Sequence, residues 1–241
     1  VEELAGRVAL VTGAGRNIGR AIALALAAGG AAVAVNARRS QGEVDAVAGE
    51  IAAAGGRAYA VLADVTDPAA VARMVEAVEA RLGRIDILVN NAAVRDVSTL
   101  DAIDLARWRE VTGVILDGAF VCAKACLVSL RAGGGAIVNI GGLSAHTGAA
   151  GRPHVVAAKA GIVGLTRALA HDLAGDGVTV NCVVPGLIDT VRGESSGAHS
   201  AHEGKRESVL GRRGTPEEVA YAVRFLVGPG ARYITGQTLH V

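Results

Sequence analysis

Short runs of valine and isoleucine alternate along this chain with longer alanine-rich stretches whose apolar residues recur at helical spacing. Few folds tolerate that rhythm. A run that is apolar throughout offers no polar face to water, so it belongs in a sheet covered on both sides, and the intervening helices supply the cover. Repeated strand-helix-strand units of this kind build a parallel sheet. The strands are expected at 7–12, 31–36, 57–62, 86–90, 136–140, 178–183 and near Gln237, which makes a seven-stranded α/β sheet of the doubly wound type. A length of 241 residues suits one such domain, spanning 1–241. Aromatic residues are only 2 % of the sequence, so the core has to be packed from Val, Leu, Ile and Ala. One stretch, 191–208, breaks the alternation with Gly, Ser, His and charge. It reads as a mobile lid over a site or, on length alone, as a solvated loop.

Charge and cysteine content narrow the partners. Lys plus Arg number 24 against 23 Asp plus Glu, which leaves no basic field to attract nucleic acid or an anionic membrane. Cys122, Cys126 and Cys182 form neither a paired framework nor a metal-ligand set, as expected in a reducing, cytoplasmic setting. No uninterrupted apolar run reaches the roughly 20 residues of a bilayer span, and the first residues lack a charged-then-apolar signal pattern. The expected partners are a small molecule and copies of the chain itself, with no metal.

Parallel strands put all their carboxyl ends on one edge of the sheet, where ligands bind in such folds. Thr12-Gly13-Ala14-Gly15-Arg16-Asn17-Ile18-Gly19 follows the first strand and opens a helix. Glycine lets the backbone approach a pyrophosphate, and the helix N-terminus supplies N–H groups and partial positive charge for it. Ala63-Asp64-Val65 ends the third strand, and Leu88-Val89-Asn90-Asn91-Ala92-Ala93 ends the fourth. Ile137-Val138-Asn139-Ile140-Gly141-Gly142, Ala157-Ala158-Lys159-Ala160-Gly161 and Pro185-Gly186-Leu187-Ile188-Asp189-Thr190 follow in order. Gly211-Arg212-Arg213-Gly214-Thr215-Pro216-Glu217-Glu218 and Ile234-Thr235-Gly236-Gln237 complete the set. Over nearly its whole length the chain resembles the short-chain dehydrogenase/reductase family, in particular members like the 3-oxoacyl-acyl carrier protein reductases. Asn17 stands where that family's middle glycine belongs, and Ala93 replaces the glycine of its NNAG segment. Asparagine tolerates left-handed backbone angles better than most residues, so the turn can survive the change.

The resemblance implies a Rossmann-type NAD(P)-binding domain. Gly13, Gly15, Arg16, Asn17, Ile18 and Gly19 would hold the pyrophosphate turn, Asp64 and Val65 the adenine, and Asn90 and Ala92 the end of the fourth strand. Pro185, Gly186, Ile188 and Thr190 would hold the nicotinamide carboxamide, and Lys159 the ribose. Cofactor choice follows from charge: an acidic residue at the end of the second strand would repel the extra phosphate of NADP. That region reads Asn36-Ala37-Arg38-Arg39-Ser40, and Arg16 lies in the glycine turn, which favours NADP(H) over NAD(H). The resemblance also implies a homotetramer, paired through long apolar helices at about 105–130 and 155–173.

The catalytic pattern departs from the family. Aligned on Lys159, the tyrosine position is Val155, the serine position Gly142 and the asparagine position Ile115. The chain's three tyrosines, Tyr59, Tyr221 and Tyr233, lie far from this segment, so no slip of alignment restores one. Candidate substitutes are Ser144, His146 and His154, each with a plainer reading as a turn hydroxyl or as a loop or subunit-contact histidine. His154 would point about 100° away from the tyrosine direction if the helix has already begun there. Arg95 could face substrate and bind a carboxylate, or form a surface ion pair. Two functions therefore stand open: an oxidoreductase acting on a small carbonyl or alcohol through a non-standard proton donor, and a catalytically silent nucleotide-binding or subunit-stabilising protein.

Overall fold

The computed structural model describes residues 2–190 and 208–241. Its strands are β1 (Val8–Val11), β2 (Ala32–Ala37), β3 (Ala58–Leu62), β4 (Ile87–Asn90), β5 (Ala136–Ile140), β6 (Thr179–Val184) and β7 (Thr238–His240). They form one sheet in the order β3-β2-β1-β4-β5-β6-β7, and every neighbouring pair is parallel. The chain moves outward from β1 to β3 and then returns to lay β4 on the other side of β1. That reversal opens a crevice at the carboxyl ends of β1 and β4.

Side chains alternate between the two faces of each strand. Val11, Val33, Val35, Val89 and Val138 pack with α1 (Asn17–Ala28), α2 (Gln41–Ala53) and α9 (Pro216–Val227). Leu10, Ala34, Leu88 and Ile137 pack on the opposite face with α3 (Pro68–Leu82) and, further along, α5 (Gly118–Ala125). Thr215 begins α9 with a reciprocal capping box, its hydroxyl accepting from the Glu218 amide while Glu218 accepts from the Thr215 amide.

The single helix expected over about 105–130 is broken. α4 (Leu105–Thr112) runs into a wider π turn at Gly113–Asp117 before α5, and α6 (Leu127–Gly133) leaves at 57°. The Thr112 hydroxyl donates to the Trp108 carbonyl at 2.9 Å, a back-bond of the type that bends helices. A methyl group on Gly118 would stand 2.7 Å from Val65 Cγ2, so glycine here lets the helix close onto the segment that follows the third strand. Leu105, Phe120 and Val128 on these helices are exposed in the single chain. The other long helix, α8 (Pro153–Leu173), starts two residues before the expected point, with proline at its first turn. Among the described residues no single helix is long and apolar enough to cross a membrane. The expected lid at 191–208 lies, apart from Ser208, outside the described residues.

Candidate active site

A cleft of about 1540 Å³ runs along the carboxyl edge of the sheet. At one end it is walled by Gly13, Gly15, Arg16, Asn17, Ile18 and Gly19. Gly13 has φ 62° and Asn17 φ 49°, so the asparagine takes up the left-handed backbone that the altered turn requires. The extended Arg16 precedes α1, no side chain caps the helix, and its first turn holds no acidic residue. An N-terminus built this way presents amides and partial positive charge to the cleft, which suits a pyrophosphate.

The turn is tied to β4 by side chains that sequence reading passed over. Thr12 Oγ1 accepts from the amides of Asn91 and Ala92, both at 3.0 Å. Asn91 Nδ2 donates back to the carbonyls of Thr12 and Gly13, both at 2.9 Å. Ala92 thus lines the cleft, whereas Asn90 is buried beneath it and donates to Asn139 Oδ1 at 2.9 Å. Asp64, Val65 and Arg38 line the same end. The Asp64 carboxylate accepts from the Thr66 amide and hydroxyl, and these bonds hold it below the usual carboxylate range although its partial burial works the other way. Its other oxygen lies 3.9 Å from Arg38. Glu43, hidden from a reading that stopped at Ser40, reaches this wall from α2 and lies 4.0 Å from Arg16. The end therefore gathers three guanidinium groups, Arg16, Arg38 and Arg39, against two carboxylates.

The far end is lined by Pro185, Gly186, Ile188 and Thr190 together with Gly142, Val155 and Lys159. Residues 185–190 are pinned from behind: the Gly214 amide donates to the Leu187 carbonyl, and the Asp189 amide to that of Gly214. Arg95 also lines the cleft and donates to Thr190 Oγ1 at 3.1 Å. Lys159 is buried, and its Nζ donates to the Ile140 carbonyl at 2.5 Å. Burial pushes its pKa down to about 8; nearby Cys182 opposes the shift and Arg95 adds to it.

The three candidate substitutes part company. Ser144 opens the short helix α7 (Ser144–Thr147) and lines the cleft. His146 is exposed on the same helix and packs edge-on against His240, with ring centroids 4.5 Å apart. His154 is fully buried, and its Nε2 lies 2.7 Å from Asp96 Oδ2. It is neither a loop nor a surface histidine, because α8 has begun by Pro153 and turns it inward. Ile115 is likewise buried, in an apolar cluster with Val111, Ala158 and Ile162.

Asp96 also accepts from Arg107 Nε at 3.0 Å and from the Ser98 hydroxyl at 3.2 Å. The Arg107 bond, with those from His154 and Ser98, holds its carboxyl well below the usual range despite partial burial. A depressed carboxylate stabilises the fold above its unfolded pKa of about 4, and that share disappears as pH falls below it. We expect Asp96→Asn to cost ~1–3 kcal/mol at neutral pH, the usual cost of an unsatisfied buried partner. Urea unfolding should show the gap between variant and wild type closing below about pH 4, and a pH-independent gap would contradict the assignment.

Comparison with known proteins agrees with this geometry. The family model described as enoyl-(acyl carrier protein) reductase matches residues 13–241. The 3-oxoacyl-(acyl-carrier-protein) reductase of Synechocystis sp. is 43 % identical over 240 residues, covering 99 % of this chain and 96 % of that protein. A short-chain dehydrogenase from Burkholderia cenocepacia, solved in complex with NADP, superposes with a TM-score of 0.92 at 39 % identity over 99 % of this chain and 97 % of that one. A blue fluorescent protein from a metagenomic library, solved in complex with NADPH, superposes with a TM-score of 0.91 at 37 % identity and the same coverage. With identity near 40 % over nearly the whole chain and TM-scores above 0.9, the chain belongs to the short-chain dehydrogenase/reductase family.

Proposed function

We propose that this protein is an NADP(H)-dependent oxidoreductase that interconverts a small carbonyl compound and its alcohol, with a proton donor other than tyrosine. One observation carries the reading: a single cleft joins an uncapped helix N-terminus flanked by arginines to a buried lysine. The nicotinamide, when bound, supplies or accepts the hydride. The chain's own part is to hold the pyrophosphate on the amides that open α1, to meet the additional phosphate with Arg16 and Arg38, and to border the nicotinamide with Pro185, Gly186, Ile188 and Thr190. Relatives solved with NADP and NADPH support the same choice of cofactor.

NADPH should bind about 10- to 100-fold more tightly than NADH, since charge-assisted hydrogen bonds contribute ~1.5–3 kcal/mol. Fluorescence titration measures the ratio, and equal affinities would refute the phosphate-binding role of the arginines.

A second reading, the catalytically silent nucleotide-binding protein, draws on one observation. Val155, Leu143 and Leu116 pack against the buried apolar cluster around Ile115, so the wall beside Lys159 is largely hydrocarbon. A panel of ketones and aldehydes offered with NADPH separates the two, because the silent protein binds the nucleotide and oxidises none of it.

A further inference from the structure

We propose that Lys159 is the proton donor of this site, its Nζ delivering a proton directly to the oxygen of the carbonyl substrate. The inference rests on the oxidoreductase reading above. It concerns, among the described residues, the wall formed by Gly142, Leu143, Ser144, Val155, Lys159 and Arg95. Glycine, leucine and valine have no proton to give. A serine hydroxyl and a guanidinium hold theirs too firmly at neutral pH. His146 and His154, the other proton carriers singled out by the sequence, are engaged with His240 and Asp96 and do not line the cleft.

Geometry places the lysine beside both altered positions. Val155 lies four residues earlier on α8, one turn away on the same face. A methyl group built on Gly142 would stand 3.6 Å from Lys159 Cγ and 3.9 Å from Cδ, with nothing else within 4 Å. The lysine stem therefore flanks the ground a serine and a tyrosine would share, and its charged tip is the polar group at hand. The Ile140 carbonyl takes one of the three ammonium hydrogens and fixes the group in place. Two remain, one for the ribose of a bound nucleotide and one for a substrate oxygen.

Burial supplies the acidity. A lysine lowered to about 8 is mostly protonated at neutral pH yet gives up its proton far more readily than an exposed one. The charged and titratable groups around it are Cys182 on β6 and Arg95 beyond β4. Arg107 and Glu110 on α4, Asp189 and Arg213 also line the cleft, and His146 on α7 is turned toward His240.

The step balances. The carbonyl carbon gains a hydrogen and two electrons from the reduced nicotinamide, which is oxidised, and the former π pair becomes a lone pair on oxygen. An Nζ–H bond of Lys159 breaks as the O–H bond forms, leaving a neutral amine that solvent reprotonates after the alcohol departs.

The experiment pairs a titration with two variants. Competitive acetylation of the NADPH complex across pH 6–10, read by mass spectrometry, should give Lys159 a midpoint near 8. Ketone reduction by the wild type should be level at lower pH and fall as pH rises through that midpoint. Lys159→Arg keeps the charge and the hydrogen bonds to a nucleotide but cannot release a proton in this range. It should bind NADPH within about fivefold of wild type and lose ~10²-fold or more in turnover, the lower bound for general acid catalysis. Lys159→Ala should regain activity with added alkylammonium ions in proportion to their acid strength. A Lys159→Arg variant with the wild-type rate and pH profile, or a Lys159→Ala variant unmoved by the ammonium series, would overturn the proposal while the oxidoreductase reading stands. A wild type that binds NADPH and reduces no carbonyl compound at any pH would overturn both.

Discussion

Placing a phenol and a hydroxyl back in the cleft, with Val155→Tyr and Gly142→Ser together, should raise ketone reduction by about 10²-fold or more. General acid catalysis typically supplies ~10²–10⁴-fold, and an oxyanion donor contributes ~10²–10³-fold. The gain lies toward the lower end if Lys159 already protonates the product. Space allows the change: a Cβ on Gly142 makes only ordinary contacts with the Lys159 stem, and Val155 already borders the cleft. A free phenol titrates near 10, and a neighbouring ammonium lowers it toward working pH. Ile115 limits the recovery, because it is sealed into the apolar cluster and an asparagine there would be buried among hydrocarbon. Steady-state rates over a ketone panel test the idea. An unchanged rate with NADPH binding intact would mean that no carbonyl group rests between positions 142 and 155, and the silent reading would gain.

The second large effect is at the other end of the cleft. Gly19→Ala should weaken NADPH binding by ~10²-fold, about 3 kcal/mol, and lower the melting temperature. A Cβ at Gly19 would sit 2.3 Å from the Gly13 carbonyl oxygen, 2.5 Å from Asn91 Nδ2 and 2.9 Å from Ala14 Cα. Two of those three neighbours are backbone of the turn itself, so the turn must move away from the helix that it feeds, and the amides leave their alignment. Gly49→Ala is the matched control. Gly49 is exposed within α2, and a Cβ there meets nothing within 4 Å. Alanine at such a helical position stabilises by ~0.5–1 kcal/mol and should leave NADPH affinity unaltered. Calorimetric titration with thermal unfolding reads both variants, and wild-type affinity in Gly19→Ala would contradict the close-approach argument.

Local patterns were legible in the sequence because their causes are local. A strand buried on both faces must be apolar throughout, which marks the five inner strands; the half-buried edge strands β3 and β7 also appear within a residue or two of their expected positions. The π turn between α4 and α5 was not legible: Gly113 and Gly118 sit in an apolar helical pattern, and the neighbour that requires glycine at 118 is Val65, some fifty residues earlier in the chain. Glu43 escaped notice for a related reason. Its carboxylate reaches Gly15 through the packing of α2 beside the glycine turn, a matter of helix placement that no motif records.

Residue identity alone established that Gly142, Val155 and Ile115 bring no hydroxyl, phenol or amide to the cleft, since a missing functional group is missing in any conformation. It also established the parallel sheet, because hydrophobic period and glycine spacing are properties of the chain read in order. Which of Ser144, His146, His154 and Lys159 line one cleft was decided only in three dimensions. His154 adjoins Val155 in sequence, yet a helix turns consecutive side chains about 100° apart. That rotation sends the imidazole inward to Asp96, 58 residues away, and leaves Lys159, one full turn beyond Val155, facing the cleft.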